Sequence, residues 1–126
     1  MTTQTIERTT LSNLVSNEEY CRKVLPFIKA DYFDVKEERV VFEEITSFVE
    51  KYKRIPTKIS LEIEVESRKD LTQDQHTKIV EIIQTLDATD VDMEWLVDTT
   101  EKFCKDKAIY NAIVDGISII DGKDKK

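Results

Sequence analysis

Nucleophilic catalysis needs a serine or cysteine beside an activating base, and the candidates in this sequence reduce to Cys21, Cys104 and a single histidine, His76. His76 falls on a polar turn of a helix-forming segment, far along the chain from either cysteine, and reads as a surface histidine. Cys21 and Cys104 form no CxxC pair, and two distant cysteines with one histidine cannot supply the four ligands of a zinc centre. Without a secretory context both thiols are expected free. Glu62, Glu64 and Glu66 are numerous enough for acid and base roles, but they alternate with apolar residues as a solvated face does. The stretch DGKD at Asp121 to Asp124 matches neither an EF-hand loop nor a phosphate-cradling GxxxxGK(S/T) loop. No catalytic, cofactor-binding or metal-ligating residue is therefore expected.

What remains is binding chemistry. Lys51, Lys53, Arg54 and Lys58 surround Tyr52, and cations with an aromatic among them can track a nucleic-acid backbone. Lys51, Lys53 and Arg54 are the candidate contacts. The competing reading is that Tyr52 completes a buried stripe while the cations favour the negative end of a helix dipole. Trp95 opens an apolar helix face and reads as a packing residue rather than a ligand platform.

The elements that must position these residues are helices. With 126 residues, the chain can bury one core of its own and has no room for a second catalytic domain, so a nucleotide-driven motor is excluded. Only 2 Gly and 2 Pro, with 36% charged residues and many Glu, Lys, Leu and Ile, favour an all-α fold. The formal net charge of -7 argues against affinity resting on nucleic-acid phosphates over the whole surface. No long apolar run and no signal-peptide pattern is present, so a cytoplasmic protein without a membrane span is expected.

Apolar spacing predicts a short helix around Ile6, Leu11, Leu14 and Val15, then one capped by Asn17 and broken at Pro26. The aromatic connection Asp31 to Asp34 leads into a helix over about 36–53, which Pro56 separates from the next segment. Ile59, Leu61, Ile63 and Val65 alternate as a strand would, yet no partner strand exists, and a short helix is preferred. Thr72 and Gln75 form a capping box for a helix burying Ile79, Val80, Ile82, Ile83 and Leu86. Asp90 or Asp92 then caps a last helix over 93–120, with Asp98–Lys102 and Glu101–Lys105 as supporting pairs. From Phe103 onward this helix is apolar over more than one stripe and is longer than a globule of this size needs. Its C-terminal half is expected to project and to want a partner; the alternative is that it folds back over the core.

Trp95-Leu96-Val97, Thr100-Glu101-Lys102-Phe103, Lys107-Ala108 and Tyr110-Asn111-Ala112 resemble the start of the dimerising hairpin in the N-terminal domain of hexameric replicative DNA helicases. That is the branch of T-even-like phages and, more distantly, the bacterial DnaB type. Leu11, Leu14, Tyr20, Val24 with Pro26, Tyr32-Phe33, Phe42 and Ile55-Pro56 extend the resemblance over nearly the whole chain. Lys107 stands where bacterial relatives tend to have Arg, and Thr57 follows Pro56 where they tend to have Asp.

The resemblance implies a helical head over 1–92, a first hairpin arm over 93–120 and a charged tail over 121–126, without the second arm or the RecA-like ATPase that family members carry. ATP and magnesium, and 5′–3′ helicase activity, belong to that ATPase. The domain itself is implied to be non-catalytic. It would pair through its hairpin as a dimer or as a trimer of dimers in a hexameric collar, near single-stranded DNA, and recruit primase and helicase loader. Phe103, Lys107, Tyr110, Ile113, Val114 and Ile117 are the expected self-association residues. A different class of function is a stand-alone acidic helical phage protein that binds and regulates a host protein.

Overall fold

The computed structural model describes residues 5–120, with side chains described through Ile117. The tail expected over 121–126 lies outside the described residues. Six α-helices, and among the described residues no strand, make an all-α fold. They are α1 (Ile6–Leu14), α2 (Glu18–Val24), α3 (Lys36–Tyr52), α4 (Lys58–Glu66), α5 (Gln73–Gln84) and α6 (Met93–Ile120).

Local chemistry sets most of the boundaries. The Asn17 side chain accepts from the Tyr20 backbone N–H at 3.0 Å and starts α2. Capping boxes pair Thr57 with Ser60 at α4 and Thr72 with Gln75 at α5. Asp92, of the two aspartates considered, caps α6 by accepting from Trp95 N–H at 2.8 Å. Pro26 sits in the 3₁₀ turn Leu25–Phe27 that ends α2, and a second such turn, Ala30–Tyr32, leads to α3. α3 ends on Lys53 in the left-handed region, φ 61°. A lysine Cβ is crowded there and a glycine is not, so Lys53→Gly is expected to raise stability by about 0.5–1 kcal/mol, read as a higher urea midpoint.

The alternating segment is helical, and burial explains its pattern. Leu61 and Val65, one turn apart, are fully buried, whereas Ile59 and Ile63 form a second stripe left 71% and 57% exposed. The strand-like alternation is thus two helical stripes, one facing the core and one facing solvent.

α3 and α4 pack on α5, α1 packs on α2 and α3, and α6 lies across α1 and α2. Leu11, Leu14, Tyr20, Val24, Val41, Ile45, Leu61, Ile79 and Ile83 meet in the core they enclose. Ile82 packs at its margin, and Val80, expected in the core, is only partly buried and lies beside Glu66 and His76. The polar connection 87–92 is tied back by Asn13, which donates to Thr89 Oγ1 at 2.8 Å.

Glu38 on α3 is buried and accepts from Arg8 Nε at 3.1 Å. Burial pushes its carboxyl above the ordinary range, and Arg8 only partly offsets this. A carboxyl that holds its proton more tightly when folded adds stability below the unfolded pKa and loses it as pH rises through the folded pKa. Relative to wild type, Glu38→Gln is therefore expected to gain stability as pH climbs from about 4 toward neutrality. Urea titrations of both proteins at several pH values check this; a constant difference would mean that Glu38 ionises freely.

Candidate self-association face

The side chains of Leu96, Thr100, Phe103, Lys107, Tyr110, Val114 and Ile117 succeed one another at alternating spacings of four and three residues, which places them along one side of α6. The head covers the first half of this stripe. Leu96 and Thr100 are buried, and Phe103 meets Phe33 with ring centroids 6.2 Å apart. Thr100 spends its hydroxyl proton on Leu96 O at 2.8 Å, so the buried Tyr20 hydroxyl donates to Thr100 Oγ1 at 2.6 Å and fastens α2 to α6. Lys107 marks the edge of the head, its amine 2.6 and 2.7 Å from the two Asp34 carboxylate oxygens. One turn on, Asn111 still reaches Asp31 O at 3.4 Å.

Past that edge the stripe continues uncovered. Tyr110 is 59% exposed, Val114 40% and Ile117 53%, with Ile109 and Ile113 exposed beside them. The C-terminal half of α6 therefore does not fold back on the core. Phe103 and Lys107, expected at the pairing face, are otherwise engaged: Phe103 is a core residue because the head reaches its turn of the helix, and Lys107 is bound to Asp34. Tyr110, Ile113, Val114 and Ile117 are brought together on the free half. The four-three spacing through α6 was present in the sequence and is the signal that separates a continuous seam from a merely apolar helix.

The ion pairs expected along α6 are replaced by another. Lys102 binds Asp106 at 2.9 Å, and neither Asp98–Lys102 nor Glu101–Lys105 forms among the described residues. Trp95 is 53% exposed, because it lies on the solvent side of the turn that buries Leu96, so the packing reading fails for it.

Tyr52 is not buried either, at 42% exposed, since α3 runs one turn past the elements that cover it. Its ring rests on Phe48 at 4.6 Å, with Lys51 Nζ and Arg54 Cζ 5.3 and 5.8 Å from its centroid. Lys51, Arg54 and Tyr52 do assemble. Lys58 leaves the cluster to bind Asp87 at 2.6 Å and Gln84 O at 3.1 Å.

Elsewhere the surface offers little chemistry. Cys21 and Cys104 are free and buried, and burial pushes both thiols up to about 11, so neither supplies a thiolate at neutral pH. His76 is half-buried beside Glu66, Gln73 and Glu81 and has no cysteine near it. Among the described residues no three His, Cys, Asp or Glu side chains gather as a metal site, and no helix is long and apolar enough to cross a membrane.

Comparison with known proteins places this head in a family. Residues 2–92 match the DnaB-like helicase N-terminal domain, and the chain belongs to that family, whose N-terminal domain is non-catalytic. Over 102 residues, 81% of this chain, it is 29% identical to a DnaB-like replicative helicase of Enterobacteria phage T4. The chain spans 21% of that relative's length.

Proposed function

We propose that this chain serves as the self-associating collar domain of a phage replicative DNA helicase, pairing through the outer half of α6. The observation that carries the reading is the stripe of Tyr110, Val114 and Ile117, with Ile113 beside it, continuing the core-facing side of α6 beyond the head. Large apolar side chains in register over two turns are costly to leave in water, and a second copy presenting the same stripe covers them. Symmetric pairing uses one surface twice, which suits a dimer and, through a second contact between dimers, a hexameric ring. In this reading the collar recruits primase and the helicase loader, and ATP with magnesium is used by the ATPase of the assembled helicase. Lys51, whose amine lies over the Tyr52 ring, is then a candidate to contact single-stranded DNA passing the ring.

Sedimentation equilibrium over a wide concentration range tests the pairing. The weight-average mass is expected to climb above 14.7 kDa as concentration rises. A mass fixed at that value throughout would remove the collar reading and favour a monomeric acidic regulator of another protein.

A further inference from the structure

Between α2 and the C-terminal half of α3 lies a cleft of about 460 Å³, within the size range of sites that seat a side chain or small ligand. Its walls are aliphatic, with Leu25, Ile28, Val49 and Ile55 among them, and its rim carries Lys53 and Arg54. Rim acids are present as well, but Glu18 is bound to Arg22 at 3.1 Å. Among the described residues neither Lys53 and Arg54 nor Glu50, which lines the same cleft one turn before Arg54, forms an ion pair, so two free cations face one free acid there. In a chain with 26 acidic and 19 basic residues, unpaired cations beside an apolar hollow are a selective feature.

From this combination we propose that the cleft is a docking site for an acidic peptide segment of a partner protein, one bulky apolar side chain seated in the cleft and flanking carboxylates on Lys53 and Arg54. The choice of a peptide over nucleic acid rests on the walls. They are aliphatic and fit a leucine or phenylalanine side chain, whereas a base needs an aromatic face, and Tyr52, the nearest exposed aromatic, is not in the lining. The overall charge of -7 also repels a polyanion as long as DNA, while a short acidic segment meets chiefly the local field. The proposal does not depend on self-association through α6, which lies on other residues.

The test is fluorescence anisotropy with the full chain and a labelled synthetic peptide in which a run of aspartates precedes Leu-Phe. The same peptide with lysines for aspartates, and a labelled oligothymidylate, serve as comparison probes. The aspartate peptide is expected to bind in a saturable, salt-sensitive manner, and the lysine peptide not to bind. Lys53→Gly combined with Arg54→Ala is expected to weaken binding about tenfold, since two charge-assisted contacts are lost. Lys53→Gly favours the local backbone and both residues are exposed, so loss of fold does not explain a loss of binding. Val49→Ala, which deepens the cleft without touching the rim, is expected to change affinity and leave its salt dependence alone. Binding that is equal for the two peptides, insensitive to the double variant, or absent overturns the proposal. Binding of oligothymidylate that competes with the aspartate peptide at this rim overturns it in favour of a nucleic-acid site.

Discussion

Phe33→Ala is expected to lower the stability of the fold by about 3–5 kcal/mol. Domains of this size are held together by about 5–15 kcal/mol, so the variant should sit close to unfolding at room temperature. Phe33 is fully buried between the 3₁₀ turn and α3, with the Phe42 ring at 5.2 Å and the Phe103 ring at 6.2 Å. One truncation therefore opens a cavity, ends two aromatic contacts of about 0.5–1.5 kcal/mol each, and loosens α6 from the head. Val35→Ala, two residues on and 46% exposed, is the control and should move stability by no more than about 0.5 kcal/mol. Urea unfolding monitored by circular dichroism measures both. A loss below about 1 kcal/mol for Phe33→Ala would mean that α6 is held chiefly by the Tyr20–Thr100 hydrogen bond and the Lys107–Asp34 ion pair rather than by this aromatic cluster.

The helices and their limits were legible because they are set by neighbours in sequence. Asn17, Thr72 and Asp92 cap, Pro26 and Pro56 interrupt, and none of these effects needs a distant residue. The helical choice for Ile59 to Val65 also came from a physical argument, the absence of any strand to pair with. Exposure was less legible, because an apolar stripe tells which face a helix would bury but not how far its cover extends. Phe103 and Tyr110 lie on the same stripe of α6 two turns apart, and only the positions of Phe33 and Asp34, distant in sequence, decide that one is core and the other free. Tyr52 is exposed for the same reason, lying just past the covered stretch of α3, whereas Trp95 lies on the outer face of a covered turn, between Met93 and Leu96, which pack on the core. The cleft left no trace in the sequence, since Leu25, Val49 and Ile55 come from different elements and carry no motif.

Tyr110→Glu is expected to reduce self-association at least about 100-fold, an effect near 2.7 kcal/mol, and to leave the stability of the monomer within about 0.5 kcal/mol of wild type. Tyr110 is 59% exposed, and the Lys107 amine, itself bound to Asp34, lies 5.6 Å from its ring centroid, so a glutamate there meets mainly water in the single chain. In a pair of copies the same carboxylate is taken out of water against the partner's apolar stripe, which is costly for a charge. Symmetry makes the effect count twice, because both copies carry the change into one interface. Phe103→Ala separates this from general damage: it should lower stability because Phe103 is core, with any loss of association arising from unfolding. Ile59→Glu supplies the opposite control, Ile59 being apolar and 71% exposed but on α4. Sedimentation velocity and thermal melts on all three decide the matter. If Ile59→Glu abolishes association while Tyr110→Glu leaves it intact, the copies meet through the solvent stripe of α4, and the projecting half of α6 is covered by some other element of the assembled protein.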